Sequence, residues 1–173
     1  NRAFTVLGQG YWGMVPIPVI VMFITFLFGI VFLSQTRAGR HIYGVGGNEE
    51  ASRLSGVQIK KIKYLVYALS GFMSALAGVV LLARVNSGQP NAGSGYEMDV
   101  VTAVVLGGVS MSGGEGRLVM VVVGVMIMGI LTNGMTMLTI NEYVQQFVKG
   151  MVLIGAVALD RFIKEQRMKQ RVV

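Results

Sequence analysis

The run VPIPVIVMFITFLFGIVFLS, from Val15 to Ser34, contains no ionisable residue. At about 1.5 Å per residue, a helix of this length reaches about 30 Å, the thickness of the hydrocarbon core of a bilayer. Pro16 and Pro18 stand at its start, where a missing backbone N–H costs least. Tyr11 and Trp12 lie just before it, as is typical of aromatic residues at a membrane interface. The run therefore predicts a transmembrane helix.

The composition of the whole chain agrees with a membrane protein. Of 173 residues, 53% are hydrophobic and 13% are charged, whereas soluble domains carry about 25% charged residues. The absence of cysteine excludes disulfides and thiolate sites, and a single histidine, His41, argues against a histidine-built metal or catalytic site. The formal net charge of +7 falls in islands between apolar runs, which favours a membrane over a nucleic-acid partner. We predict no catalytic residue, metal or cofactor in this chain.

Further apolar segments follow the first run. They are Tyr64–Ala83, Val100–Ser112, Leu118–Ile140 and Val144–Leu159. Small residues recur along the first of these segments, which is typical of a helix that packs against other helices in lipid. Val100–Ser112 is short enough to be either a re-entrant segment or a short crossing helix.

Two basic islands indicate which ends of the segments face the cytoplasm. One is the loop of residues 36–63, and the other is the tail of residues 160–173. The positive-inside rule places both in the cytoplasm, whereas the acidic segment around Glu97 and Asp99 is expected outside. Both islands lie on one side only if Val100–Ser112 crosses. We therefore expect an all-α, polytopic transmembrane helix bundle with about five spans and a cytoplasmic C-terminus.

The loop of residues 36–63 carries signals for local structure. YGVGG, Tyr43–Gly47, predicts a flexible glycine-rich turn. Asn48 is a preferred N-cap residue, and the two glutamates after it suit the N-terminal end of a helix. Gly56 is a typical helix stop. These features predict a short helix over Glu49–Ser55 near the membrane surface, although an ordinary positive-inside anchor is the alternative.

Three motifs in fixed order carry a resemblance to a known family. They are GGNEEASRLSG, SGQPNAGSGYEMD and AVVLGGVSMSGGEG. From about Gly10 to Asp160, the sequence resembles the permease subunits of bacterial ABC importers for monosaccharides of the ribose, arabinose, xylose and galactoside type. It matches the C-terminal half of that family. The resemblance implies that residues 1–173 form one permease region, the C-terminal part of a longer permease in the bacterial plasma (inner) membrane.

The resemblance also implies partners and a role for the short helix. In such importers a cytoplasmic coupling helix docks on a separate ATPase subunit, and the EAS triplet followed by Gly56 approximates the importer signature, with Ser52 in place of an alanine. The implied coupling residues are Asn48, Glu49, Glu50, Ala51, Ser52, Arg53, Leu54 and Gly56. The other implied partners are a periplasmic or extracellular sugar-binding protein, a second permease copy, membrane lipid and the monosaccharide.

Two further segments have a local interpretation and an implied role. NSGQPNAGSGYEMD has the pattern of a surface loop, and the resemblance places Gln89, Glu97 and Asp99 toward the sugar-binding protein. LGGVSMSGGEGR lacks the lysine and spacing of a phosphate-binding loop, so we predict close packing and a tight turn instead. The resemblance implies a transmembrane pathway near this region, with pathway residues Ser110, Ser112 and Asn133.

Lys149 is the only charge inside a predicted span. An ionisable group there indicates function by default, but a lysine about two turns from the span end can also extend to the interface, which we favour. No acidic residue lies inside a span, which argues against an ion-coupled secondary transporter, the alternative function. An intramembrane enzyme is a third alternative. It would need a nucleophile with a base or a metal site, and we predict neither in this chain. The preferred function is a monosaccharide permease, not itself an enzyme, that is driven by a separate ATPase.

Overall fold

A computed structural model of the chain describes residues 2–90 and 92–170, with side chains for residues 6–90 and 92–162. The described residues form helices and one short ribbon, which confirms the predicted all-α fold. In order, the elements are α1 (Arg2–Gln9), β1 (Tyr11–Trp12), β2 (Val15–Pro16), α2 (Ile17–Gln35), α3 (Arg37–Gly47), α4 (Glu49–Leu54), α5 (Ile59–Val85), α6 (Tyr96–Leu106), α7 (Leu118–Met137) and α8 (Glu142–Gln170). The chain divides into two units, Asn1–Ala92 with α1–α5 and Gly93–Val173 with α6–α8.

Three helices of the described chain are long and apolar enough to cross a membrane. They are Ile17–Gln35, Ile59–Val85 and Leu118–Met137. They coincide with three of the predicted spans, although α5 begins at Ile59, within the basic end of the loop, and α7 ends at Met137 rather than Ile140. The polytopic helical prediction is thereby confirmed for these three spans.

The two remaining predicted spans differ from the first three. Val144–Leu159 lies within the 29-residue helix α8, whose first turns are polar. The short segment Val100–Ser112 overlaps helix α6. This helix begins before the segment, at Tyr96, and ends within it, at Leu106, after 11 residues. Such a helix is only about 16 Å long, and Gly108, with φ 74°, lies in the turn beyond it. The helix of this segment is therefore shorter than the core of a bilayer, and its crossing stays a prediction.

The first predicted span begins two residues later than expected. Tyr11 pairs with Pro16 and Trp12 with Val15 in an antiparallel ribbon, so the ribbon takes up the first residues of the apolar run. The backbone N–H of Ile17 donates to the carbonyl oxygen of Gly10 at 2.9 Å. Helix α2 therefore starts at Ile17. Its prolines, Pro16 and Pro18, lie at the N-terminal end, where a backbone N–H would have no partner within the helix.

Helix α3 corrects the prediction of a flexible turn at Tyr43–Gly47. These residues complete an α-helix that begins at Arg37. Thr36 caps it, because its Oγ1 accepts the Gly39 backbone N–H at 3.0 Å. Helical glycine costs about 1 kcal/mol relative to alanine, but α3 packs against α2, α4 and α5, and tertiary packing overrides such a cost.

The first unit is held by a close helix contact that glycine permits. Gly8 of α1 lies against the backbone of Ala83 near the end of α5, and a Cβ on Gly8 would overlap that backbone. Ala83 is fully buried, and the Gln9 side-chain Nε2 donates to the Arg84 carbonyl oxygen at 3.2 Å. Gly71 and Gly78 in the middle of α5 have no such neighbour, since a Cβ on either would meet no atom of the described residues within 4 Å. Their predicted contact with other helices stays a prediction.

The second unit contains most of the buried apolar residues of the described chain. Thr102, Ala103 and Val105 of α6 are 1%, 3% and 5% exposed, and Met128 of α7 is 4% exposed. Gly124 of α7 lies directly against the Ala103 carbonyl oxygen. The glycines predicted to permit close packing therefore do so where α6 crosses α7.

Candidate functional site

The short helix α4 is built by local signals that the sequence contains. The Asn48 side-chain Oδ1 accepts the Ala51 backbone N–H at 2.9 Å, which caps the first turn. At the other end, Gly56 has φ 81°, and the Val57 N–H donates to the Ser52 carbonyl oxygen at 3.1 Å. The helix predicted over Glu49–Ser55 is confirmed, and it ends one residue earlier, at Leu54.

Two ion pairs engage the glutamates of α4. Glu50 contacts Arg53 at 2.7 Å within the helix, and Glu49 contacts Lys63 at 2.8 Å. Lys63 lies in the first turns of α5, so the second pair joins α4 to a membrane-spanning helix. Both pairs are more than half exposed, so each is worth at most about 1 kcal/mol. Their role is orientation more than stability.

Most of the surface of α4 is exposed to solvent. Of the eight residues predicted for coupling, only Ser52 is half-buried, and the others are exposed. Leu54 is 80% exposed, which is a large exposure for a leucine at a helix end. Beside α4 lies a groove of about 300 Å³ between α3 and α4, lined by Arg40, His41, Gly44, Asn48, Ala51, Ser52, Ser55 and Val57. Sequence reasoning missed Arg40 and His41, because only the helical course of α3 brings them beside α4.

Replacing Asn48 with alanine should loosen α4 by removing its cap. Loss of an N-cap costs about 0.5–2 kcal/mol, and 1–2 kcal/mol changes an equilibrium by a factor of about 5–30. We expect faster hydrogen–deuterium exchange of the backbone amides of residues 49–54 in the full-length protein. Asn48→Asp keeps the capping oxygen and serves as the matched control. Equal exchange in Asn48→Ala and the wild type would contradict the cap.

The residues predicted to face a sugar-binding protein fall in different environments. Gln89 is exposed in the segment after α5 of the first unit, and Glu97 is exposed in the first turn of α6 in the second unit. Asp99 is not free. Its carboxylate accepts a hydrogen bond from the Lys149 Nζ of α8 at 2.7 Å.

The Asp99–Lys149 ion pair corrects the interpretation of Lys149. The Lys149 side chain is 15% exposed and that of Asp99 is 25% exposed, so the lysine does not extend freely to an interface. It has a carboxylate partner on another helix. The two residues are 50 positions apart, and no local spacing predicts their contact. The one signal in the sequence was the charges themselves. Lys149 is a lone cation within one predicted span, and Glu97 and Asp99 are an acidic pair just before another.

The residues predicted for a pathway lie on α7 and in the turn after α6. Ser110 is 7% exposed, and its hydroxyl oxygen accepts the Ser112 backbone N–H at 3.2 Å. The Ser110 N–H in turn donates to the Glu115 carbonyl oxygen at 2.9 Å. Ser112 and Asn133 are exposed. The hydroxyl of Ser110 therefore contributes to the turn, whereas Ser112 and Asn133 present polar groups at the surface of the second unit.

Known proteins resemble this chain over most of its length. It is 49% identical over 167 residues to the ribose import permease protein RbsC of Escherichia coli strain K12, covering 92% of this chain and 52% of that protein. It is 45% identical over 161 residues to RbsC of Bacillus subtilis strain 168, covering 93% and 50%. With the L-arabinose transport system permease protein AraH of E. coli K12, it shares 40% identity over 173 residues, covering 99% and 52%. The chain thus spans about half the length of these relatives.

A family model matches the chain as well, over residues 1–157. No solved structure matches the chain. The resemblance inferred from the three sequence motifs is confirmed by these matches, and the apolar helices α2, α5 and α7 agree with a multi-pass membrane protein. The chain therefore belongs to the permease family described as branched-chain amino acid transport system / permease component.

Proposed function

We propose that this chain is part of the membrane permease of an ATP-driven importer that carries a monosaccharide of the ribose or arabinose type inward across the plasma (inner) membrane. The observation that carries the proposal is the identity of 40–49% with ribose and arabinose permeases over at least 92% of the chain. The family description names branched-chain amino acids, but it covers the family as a whole. The individual relatives are the finer comparison, and they favour a sugar.

The proposed ATPase partner would dock at α4. The family resemblance supports nucleotide hydrolysis on a separate subunit rather than on the permease. Helix α4 presents the exposed Leu54 and a groove beside it, and these offer an apolar contact and a recess to a docking surface. The Glu49–Lys63 pair links α4 to α5. A movement of the docked ATPase would therefore reach a spanning helix as a rigid-body shift.

The basic loop favours a cytoplasmic position for this docking surface. Arg37, Arg40, Lys60 and Lys61 are exposed, and within the described residues none of them pairs with a carboxylate. Unpaired cations near span ends favour the cytoplasmic side. The same rule supports a cytoplasmic tail after residue 160. Gln89 of the first unit and Glu97 of the second are exposed, and we propose each of them as a contact for a sugar-binding protein. A second permease copy would complete the transporter.

Uptake measurements in vesicles test the proposed function. The full-length permease, reconstituted with its ATPase and sugar-binding protein, should import radiolabelled ribose or arabinose only when ATP is present on the ATPase side. Omitting the ATPase is the control. Uptake driven by a proton or sodium gradient without the ATPase would overturn the proposal in favour of a secondary transporter.

Variants of α4 test its coupling role within that assay. Glu50→Ala and Gly56→Ala should lower the sugar imported per ATP hydrolysed severalfold, with normal amounts of folded protein. Gly56 has φ 81°, and alanine there is strained by about 1–2 kcal/mol, while the exposed Glu50–Arg53 pair contributes at most about 1 kcal/mol. Lys61→Ala, an exposed charge of the same loop, is the matched control. Normal coupling in both α4 variants would reduce the loop to a positive-inside anchor.

A further inference from the structure

The second unit contains a polar cleft between the first turns of α6 and α8. Its volume is about 490 Å³, within the range of about 300–1,000 Å³ that is typical of small-molecule sites. The polar side chains that line it are Ser94 before α6, Glu97 and Asp99 of α6, Thr132 of α7, and Glu142, Gln145, Gln146 and Lys149 of α8. Tyr96, Met98 and Leu153 add apolar surface. We call this site the polar cleft.

Helix α8 has opposite characters on its two faces. The side that lines the polar cleft carries Glu142, Gln145, Gln146 and Lys149, spaced three and four residues apart. The side away from the cleft carries exposed apolar residues at similar spacing: Tyr143 is 81% exposed, Phe147 70%, Met151 58% and Ile154 67%. A soluble helix would place these faces the other way round. Glu142 and Gln146 are themselves exposed to solvent in the open cleft. A helix with polar groups on a cleft and apolar groups exposed on its other side is typical of a membrane helix that lines a hydrated cavity.

The polar cleft keeps hydrogen-bonding capacity that the protein does not use. The Asp99–Lys149 pair is satisfied internally, and Gln145 donates its Nε2 to the Ile140 carbonyl oxygen at 2.9 Å. In contrast, the side chains of Glu97, Glu142 and Gln146 form no hydrogen bond or ion pair with any described residue. These three groups are available to a ligand that enters the cleft.

The charge of the lining selects the chemistry of that ligand. Because Lys149 neutralises Asp99, Glu97 and Glu142 leave an excess of negative charge, which disfavours anions. Carboxylates accept hydrogen bonds, and the Gln146 amide both donates and accepts them. A molecule with several hydroxyl groups donates to both carboxylates and also accepts from the Gln146 amide, whereas a cation has no lone pair to offer that amide and leaves its N–H groups unused.

We propose that the polar cleft is a binding site for a neutral, unphosphorylated monosaccharide on its way through the permease, with Glu97, Glu142 and Gln146 as its hydrogen-bonding partners. This inference rests on the proposed function and adds a place and a selectivity to it. A phosphorylated sugar is excluded by the two free carboxylates.

Cysteine protection tests the site directly. This chain contains no cysteine, so Gln145→Cys, at a residue that lines the cleft but is not one of the three proposed partners, introduces a single thiol, with any cysteine elsewhere in the full-length permease replaced by serine. The rate of labelling by a water-soluble maleimide is measured on the purified complex without sugar-binding protein. The probe is whichever of D-ribose, L-arabinose and D-xylose the wild-type complex imports. Tyr143→Cys, on the apolar face of the same helix, is the matched control.

We expect the imported sugar to slow labelling at residue 145 severalfold and to leave labelling at residue 143 unchanged. The 5-phosphate of the same sugar should protect neither position. Leu153→Cys, a second lining position on α8, should show the same protection, and it replaces the first variant if that one does not assemble. Equal labelling with and without sugar at the cleft positions, or equal slowing at residue 143, would overturn the inference. Protection by the phosphate would overturn the selectivity.

A failure of the cleft proposal can be distinguished from a failure of the proposed function. If the wild-type complex imports a sugar under ATP but the cleft cysteine is not protected, the polar cleft is not a sugar site and the proposed function stands. If the wild-type complex imports none of the three sugars, the proposed function fails by itself, and the inference fails with it.

Discussion

Replacing Gly124 with alanine should greatly reduce the amount of full-length permease that can be recovered folded in detergent. A Cβ at this position would overlap the Ala103 carbonyl oxygen and lie 2.9 Å from the backbone nitrogen of Gly107. Because both are backbone atoms, no side-chain rotation relieves the overlap, and α6 must move away from α7. Overpacking costs about 1–3 kcal/mol and occasionally more. The loss is expected although alanine is the better helix former by about 1 kcal/mol.

The same helix provides the control for this prediction. A Cβ on Gly129 or on Gly134 would meet no atom within 4 Å in the part of the chain that the structure describes, so Gly129→Ala and Gly134→Ala should change helix propensity alone. Recovery by size-exclusion chromatography and the apparent melting temperature should match or exceed those of the wild type in both controls. If Gly124→Ala behaves as they do, the close crossing of α6 and α7 is not part of the folded protein.

Replacing Lys149 with methionine should destabilise the second unit by leaving Asp99 without a cation. The pair is 2.7 Å long, and its side chains are 15% and 25% exposed. Breaking a fully buried pair costs about 3–5 kcal/mol, and the remaining exposure reduces our expectation to about 2 kcal/mol. We therefore expect a measurable fall in the apparent melting temperature of the full-length permease. Asp99→Asn should have a similar effect, because it leaves Lys149 unpaired.

The double variant distinguishes an ion pair from two independent contacts. Lys149→Met combined with Asp99→Asn removes both charges, and replacement of a whole pair by neutral groups is often tolerated. We expect a melting temperature close to that of the wild type, hence a favourable coupling between the two substitutions. Arg53→Met breaks the exposed Glu50 pair and should change the melting temperature little. Additive losses in the double variant would show that Lys149 and Asp99 do not act as a pair.

Local signals were sufficient for α4 and for the first spans. Asn48 and Gly56 act within one turn of themselves, so their pattern predicts both ends of the helix to within a residue. The uncharged run after Pro16 predicts a span because hydrocarbon tolerates neither charge nor unpaired backbone. The coupling role of α4 and the sugar stay predictions, since they depend on partners outside this chain.

Contacts between distant segments were not available to the same reasoning. The glycines of Tyr43–Gly47 indicate a turn by propensity, yet packing against α2, α4 and α5 keeps them helical. The contact between Asp99 and Lys149 joins residues 50 positions apart. The sequence shows Gln145 and Gln146 close to Lys149, but nothing in their spacing predicts that this side of α8 faces α6.

By itself, the sequence determined that the chain enters a membrane, where three of its spans lie, and that a capped helix stands in its basic loop. Each of these depends on the transfer of a continuous segment between water and hydrocarbon, or on hydrogen bonds closed within a few residues. Only the tertiary structure decided that Lys149 is paired with Asp99, that Gly124 lies against Ala103, and that the polar side of α8 lines a cleft. These depend on which helix faces which, because a side chain's partner across a helix crossing is set by the fold of the unit rather than by its neighbours along the chain.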